Sequence, residues 1–270
     1  MALLRTGWTT DVLDGAASSG GLREHLVSAR IAGDVDTPRD DNLRNALRMS
    51  QGLPKYDFGL VPRRTWSYEQ VVACMAERCG IGAELEVVDG PDTIDPDRTL
   101  AQLERWRVRL STAARDGERV LLATGHPTGV LALHLQVAAA LRAAGAEVLV
   151  PEQSFTERVD GWPRSRTVRA INGVHVLASG GELLHTHMPE PMQALLAALG
   201  DAPPDLVVAD HGWAGAAAEA GVDTLALADC NDPALFVAEA EGKPVVTVPL
   251  DDNVPPHLYD PLSAYVTAWD

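Results

Sequence analysis

The sequence predicts an α/β fold of three layers, with a mainly parallel, doubly wound sheet, a helical N-terminal part and a β-hairpin insert. Three observations carry the prediction. Short apolar runs recur from Arg119 onward, at "RVLLATG", "AEVLVPE", "DLVVADHG", "DTLALADCND" and "KPVVTVPLDDN". Between them lie helical patterns closed by Gly145, Gly221 and Gly242. Apolar strands alternating with glycine-capped helices are the signature of βα units on a buried parallel sheet.

Taken in order, "GGLREHLVSARIAG" has helical period. Thr37-Pro38 reads as an N-cap followed by proline at the first helical position, opening a helix through "RDDNLRNALRMSQG". Ser67 with Gln70 forms a capping-box pattern. "AELEVVDG" (83–90) is read as a further strand, and Asp95-Pro96 opens a long helix. Segments 120–124, 147–150, 206–209, 224–228 and 245–248 are then expected as mutually parallel strands of one sheet. Asn172-Gly173, inside the period-two stretch "RTVRAINGVHVLAS", predicts a type I′ hairpin, which "SGGELLHTH" extends. A helix is expected from about Glu190 to Leu199, capped by Gly200. Residues 1–80 form the helical part. Residues 81–270 form the α/β domain, with the insert at about 160–188, the two parts either distinct or joined in one compact body.

Composition narrows the function classes. The 270 residues carry 38 Asp plus Glu against 22 Lys plus Arg, a formal charge of −16. Such a surface repels phosphate backbones and anionic lipids, so neither nucleic acid nor membrane is an expected partner. No apolar run reaches the length of a membrane span, and the N-terminus does not have the form of a signal peptide. Three cysteines, Cys74, Cys79 and Cys230, lack metal-type spacing and point to a reducing, cytoplasmic setting. A homo-oligomer is compatible with all of this.

Ligands of open parallel sheets bind beyond the carboxyl ends of the strands, so the residues there are the candidates. "ATGHPTG" (123–129) reads as an anion cradle. Gly125 and Gly129 permit close backbone approach, Thr124 and Thr128 offer hydroxyls, and the next helix points free N–H groups at the loop. An ordinary βα turn is the competing reading. His126 is a candidate proton donor, whereas His134, two turns on, reads as packing. Asp210 and His211 sit together at a strand end. Adjacent residues of an extended chain point oppositely, so they need not pair, and one can face the site while the other braces a neighbouring loop. Asp210 also suits a helix N-cap, as does Asp232 before Pro233. Asp229, at the end of its strand, is the better functional candidate. Asp251 and Asp252 have no following helix to cap. Together with Asp229 they suit a hard divalent cation, Mg²⁺ first, which would relieve their repulsion and attract an anion. His185 and His187, two apart on one strand face, suit either a transition metal or a polar rim, with no third ligand evident in the sequence. Arg39, in a helix's first turn, either closes on a ligand phosphate or pairs with Asp36 or Asp40.

Taken together, "GDVDTPRDDNLRNALRMSQGLPKYDFGL", "ATGHPTG", "HTHMPEP", "DLVVADHGWAGAAAEAGVDTLALADCNDPALFVAEAEGK" and "VPLDDNV" resemble a family common in actinobacteria that carries the general name phosphatase. The resemblance covers nearly the whole chain and implies phosphoester hydrolysis, without assigning a substrate or a catalytic residue. None of the strand ends in the βα series carries the D-x-D of haloacid-dehalogenase phosphatases, and the sequence lacks the Cys-x5-Arg loop of tyrosine phosphatases. The expected function is therefore metal-assisted hydrolysis of a small phosphomonoester. In it Thr124, Gly125, Thr128, Gly129 and Arg39 would hold the phosphate, Asp229, Asp251 and Asp252 the ion, and His126, Asp210 and His211 would do the catalysis. A non-catalytic sensor of a sugar phosphate or nucleotide is the alternative, and an isomerase or lyase of a phosphorylated sugar a third reading.

Overall fold

A computed structural model describes residues 19–152, 155–158 and 165–269. Helices α1 (Ser19–Ser28), α2 (Arg39–Ser50) and α3 (Tyr68–Arg78) and strand β1 (Gly33–Pro38) form the N-terminal part. β2 (Pro91–Ile94) and α4 (Pro96–Asp116) lead into β3 (Arg119–Thr124) and α5 (Pro127–Ala143). Then come β4 (Glu147–Val148), β5 (Thr156–Glu157), β6 (Arg166–Ile171), β7 (Val174–Ser179), β8 (Glu182–Leu183) and α6 (Glu190–Leu199). The chain closes with β9 (Leu206–Asp210), α7 (His211–Glu219), β10 (Thr224–Ala228), α8 (Pro233–Ala240), β11 (Val245–Pro249) and α9 (Asp260–Val266).

The central sheet runs β11-β10-β9-β3-β7-β6-β5. Its first five strands are parallel, and all five expected segments belong to this sheet. The segment expected at 147–150 shrinks to the two residues of β4, which pair with the start of β3. β7 then takes over the end of β3. The hairpin is thus part of the sheet: β6 and β7 pair antiparallel across Asn172 and Gly173, whose φ of 45° and 88° are those of the expected turn. Helices α4, α5 and α9 cover one face, and α6, α7 and α8 the other, giving three layers. β3, β9 and β10 are buried over nearly their whole length, which explains their continuous apolar runs. The capping box of Ser67 and Gln70 is present, and Asp95 caps α4 through Asp97 N. Among the described residues no helix is long and apolar enough to cross a membrane. All three cysteines are buried and free.

Two expectations fail in the N-terminal part. Residues 83–90 form no strand; Val87 and Val88 are exposed. The carbonyls of Glu84 and Val87 accept from the Arg39 side chain, and the strand is β2, antiparallel to β1. Thr37 caps no helix either. It lies in β1, and its hydroxyl donates to Asp229 Oδ2 at 2.8 Å, while extended Pro38 occupies the N-cap position of α2.

Candidate functional site

Five parallel strands deliver their following loops to one edge of the sheet, and the predicted residues meet there. Asp210 closes β9, and His211 opens α7 with φ 47°, a left-handed conformation uncommon outside glycine. That bend breaks with extended chain, and His211 Nδ1 turns back to Asp210 Oδ1 at 2.9 Å. The same oxygen accepts Gly125 N–H at 2.7 Å. With Nδ1 so engaged, His211 Nε2 faces Asp232 Oδ2 at 3.3 Å and Asp252 Oδ2 at 3.5 Å. His126 Nδ1 lies 3.0 Å from the same Asp252 oxygen, a charge contact without hydrogen-bond alignment.

The 185–187 loop completes the cluster. Thr186 N–H donates to Gly125 O, pinning the loop beside the end of β3. His185 stacks on His126, with ring centroids 4.4 Å apart and planes 4° from parallel. Its Nε2 lies 3.1 Å from His187 Nε2. Ligand atoms of His126, His185 and His211 lie within 4.8 Å of one another, as do those of His187, His211 and Asp232, and those of Asp229, Asp251 and Asp252. His211 belongs to two of these groups, and Asp252 links the imidazoles to the carboxylates. Phe58 packs edge-on against His187 and His211.

The electrostatics follow from burial and charge. Burial, then the charge of His211, pushes His185 down to about 4. Burial likewise pushes His187 down to about 4. Burial opposes charge on His211 too, but Asp232 and Asp210 outweigh it and hold the imidazole well above its usual value. Burial would raise Asp210, but the bond from His211 prevails and its pKa falls to about 2. Asp229 is raised well above the carboxylate range by burial, then by Asp252 and Asp251.

The remaining candidates fall differently. Gly125 and Gly129 do make close approaches, but to the protein itself: a Cβ would overlap Thr186 O at the first and Asp252 O at the second. Gly125 N–H serves Asp210, His126 N–H serves Thr124 Oγ1, and Gly129 N–H bonds His126 O. Those donors are spent, and Thr128 is exposed, so the loop positions His126 instead of cradling an anion. Arg39 does not reach the cluster. It is buried, pairing with Asp92 at 2.7 Å instead of Asp36 or Asp40, and it fastens the 84–92 segment. Arg39→Ala is expected to leave Asp92 buried without its partner and to cost about 3–5 kcal/mol in urea denaturation. His134 is buried, with Nδ1 at 3.0 Å from Val130 O and Nε2 3.9 Å from Asp210 Oδ2. Asp232 corrects the capping reading: it occupies the N-cap position, makes no cap bond, and faces His211. Only the shared position at strand ends could have linked it to His185 and His187.

Fold and site together define an α/β protein with a histidine–aspartate cluster at the carboxyl edge of its parallel sheet. The chain belongs to the family described as Phosphatase, whose sequence model matches residues 17–269. It is similar to Phosphatase SCO2771 of Streptomyces coelicolor, 51% identical over 260 residues that cover 94% of this chain and 97% of that protein. The resemblance read from the motifs holds.

Proposed function

We propose that the protein hydrolyses a small-molecule phosphomonoester with the help of divalent metal held by the histidine–aspartate cluster. One observation carries the reading. His185, His187, His211, Asp232 and Asp252 converge at a strand-end site beside His126, and His187 Nδ1 and Asp252 Oδ2 are buried there without hydrogen-bond partners. Buried polar atoms ordinarily find partners, so unpartnered nitrogen and carboxylate lone pairs gathered in one cluster suit a cation. The imidazole-rich set suits Zn²⁺, Mn²⁺ or Fe²⁺, and the Asp229, Asp251 and Asp252 group suits a harder ion such as Mg²⁺. A bound ion of this kind supplies Lewis acidity toward a phosphoryl oxygen and toward water.

The chain's own groups prepare the site. Asp210 fixes the His211 tautomer and ring orientation through Nδ1, leaving Nε2 as the ligand atom. His185 and His187, depressed to about 4, present neutral lone pairs at pH 7 without first losing a proton. Burial opposes charge on His126, but Asp252 outweighs it and raises the imidazole above its ordinary value, so His126 can hold a proton for a leaving oxygen. The family name and that of the Streptomyces relative agree with phosphoester hydrolysis.

The test is phosphate release from a panel of metabolite monoesters. A chelator should reduce release to background, and Mn²⁺ or Zn²⁺ should restore it more fully than Mg²⁺. Undiminished release from metal-free protein would sink the metal reading. No release from any ester under any metal would sink hydrolysis.

A further inference from the structure

A pocket of about 730 Å³ opens directly over His185 and His187, walled by Leu60, Val61 and Met188 and bordered by Lys55. Its size is that of a small-molecule site, and its walls are apolar where an organic group would lie. The chain has only two lysines. Lys243 pairs with Glu219 at 2.7 Å. Lys55 makes no ion pair among the described residues, and its recorded contact is the ring of its neighbour Tyr56, 5.8 Å away. Lys55 and His187 line the same pocket. An exposed lysine held by a short 3₁₀ turn at the border of this pocket is a cation presented to whatever fills it.

The other charged groups of the lining do not cancel that role. Glu190 is exposed in the first turn of α6, where an acid is favoured by the helix dipole. Arg166 adds a second cation on the hairpin side, with Nη1 3.4 Å from Glu157. Asp57 has one carboxylate oxygen buried without a partner, an acceptor suited to a hydroxyl or amide donor.

We infer that the substrate is a phosphomonoester with a second anionic group, a phosphate or a carboxylate, on an apolar or ring-bearing scaffold, and that Lys55 binds that second group. The inference rests on the hydrolytic reading above: the scissile phosphate lies at the histidines, the scaffold between the apolar walls, and the distal anion at Lys55. A charge-assisted hydrogen bond to such an anion discriminates against an uncharged isostere by about tenfold or more.

The experiment uses the full chain with Mn²⁺ or Zn²⁺ and two sets of probes. Non-hydrolysable benzylphosphonates, on one-ring and two-ring scaffolds, bear at their far end a carboxylate, a second phosphonate or a neutral carboxamide. Calorimetry should show both doubly charged probes binding at least about tenfold tighter than the carboxamide on one scaffold. The tighter of the two names the distal group as phosphate or carboxylate. Lys55→Gln should collapse the ratio to within about twofold, and Lys55→Arg should retain most of it. Equal binding of charged and neutral probes, or a ratio unchanged in Lys55→Gln, overturns the inference. Phosphate release from the matching benzyl phosphates tests the underlying reading separately. Anion preference with no release from any ester overturns hydrolysis and the substrate claim with it. Release intact without preference overturns the second anion alone.

Discussion

His211→Asn is expected to lower phosphate release about a thousandfold, the several kcal/mol that a bound divalent ion supplies to such a transition state. Asparagine tolerates the left-handed backbone at this position, so the loss would not come from the turn. It would come from the imidazole, which belongs to two of the three ligand groups. Metal content measured after dialysis should fall with it. The metal-free protein gives a second readout through pH. His211 is raised when folded, so its imidazolium stabilises the fold fully below about pH 6.5 and ceases to do so as pH rises through the folded value. Asp210, lowered to about 2, contributes above about pH 4 and is lost only as pH falls toward 2. The pair therefore contributes fully between about pH 4 and 6.5. There His211→Asn should cost about 3–5 kcal/mol, because it leaves Asp210 and Asp232 buried without their counter-charge. Urea midpoints of wild type and variant should converge as pH rises past neutrality. A difference that stays flat from pH 5.5 to 10 would show that His211 is not the charged partner of these carboxylates.

Gly212→Ala should be nearly as damaging, for a steric reason. A Cβ at the second residue of α7 would overlap the backbone of His187 and Met188. Backbone cannot rotate away as a side chain can, so either α7 or the 185–188 loop must shift. Overpacking of this kind costs about 1–3 kcal/mol. The larger effect is on activity, since a displacement near 1 Å of a loop carrying two of the proposed ligands is worth about a hundredfold. Gly181→Ala is the matched control. It meets nothing within 4 Å and should change midpoint and rate within experimental scatter. Equal activity of the two variants would mean that the close packing of α7 on the histidine loop does not set the site.

Much of this architecture was legible because local signals and tertiary structure agree. The βα units read correctly from their apolar runs and glycine caps, and the Asn172-Gly173 turn from two residues that accept positive φ. The reading faltered where a side chain does work that the backbone was expected to do. "AELEVVDG" alternates like a strand, but its carbonyls accept from Arg39, whose partner Asp92 lies 53 residues away. At the site, Asp229 stood out because it ends its strand, and Asp251 and Asp252 because no helix follows for them to cap, although Asp229 Oδ1 accepts Cys230 N–H and Asp251 Oδ1 accepts Asn253 N–H. Asp232 was hidden by an apparent local use, a cap before proline that the structure does not make. His185 and His187 looked isolated because the groups they meet, His126, His211 and Asp232, come from three other strand-to-helix loops. The glycines of "ATGHPTG" were rightly read as close approaches, but spacing alone does not say whether the neighbour is a ligand or the chain's own carbonyl.

The linking position of Asp252 has a bearing on how the protein fares in a cell. His126 follows β3, and the carboxylate that balances it follows β11, the last of the described strands in chain order. Asp251 and Asp252 follow β11, so the cluster is complete only in the folded chain, where five separated loops meet. An ion held by the completed cluster binds the folded form and not the unfolded one, so it shifts the folding equilibrium by mass action. At a free ion concentration a hundred times its dissociation constant, the shift is about 2.7 kcal/mol. A change of that size alters steady-state abundance through proteolysis. The amount of this protein in its cell would then follow the supply of the ion, and starvation for the metal would remove the protein as well as silence it.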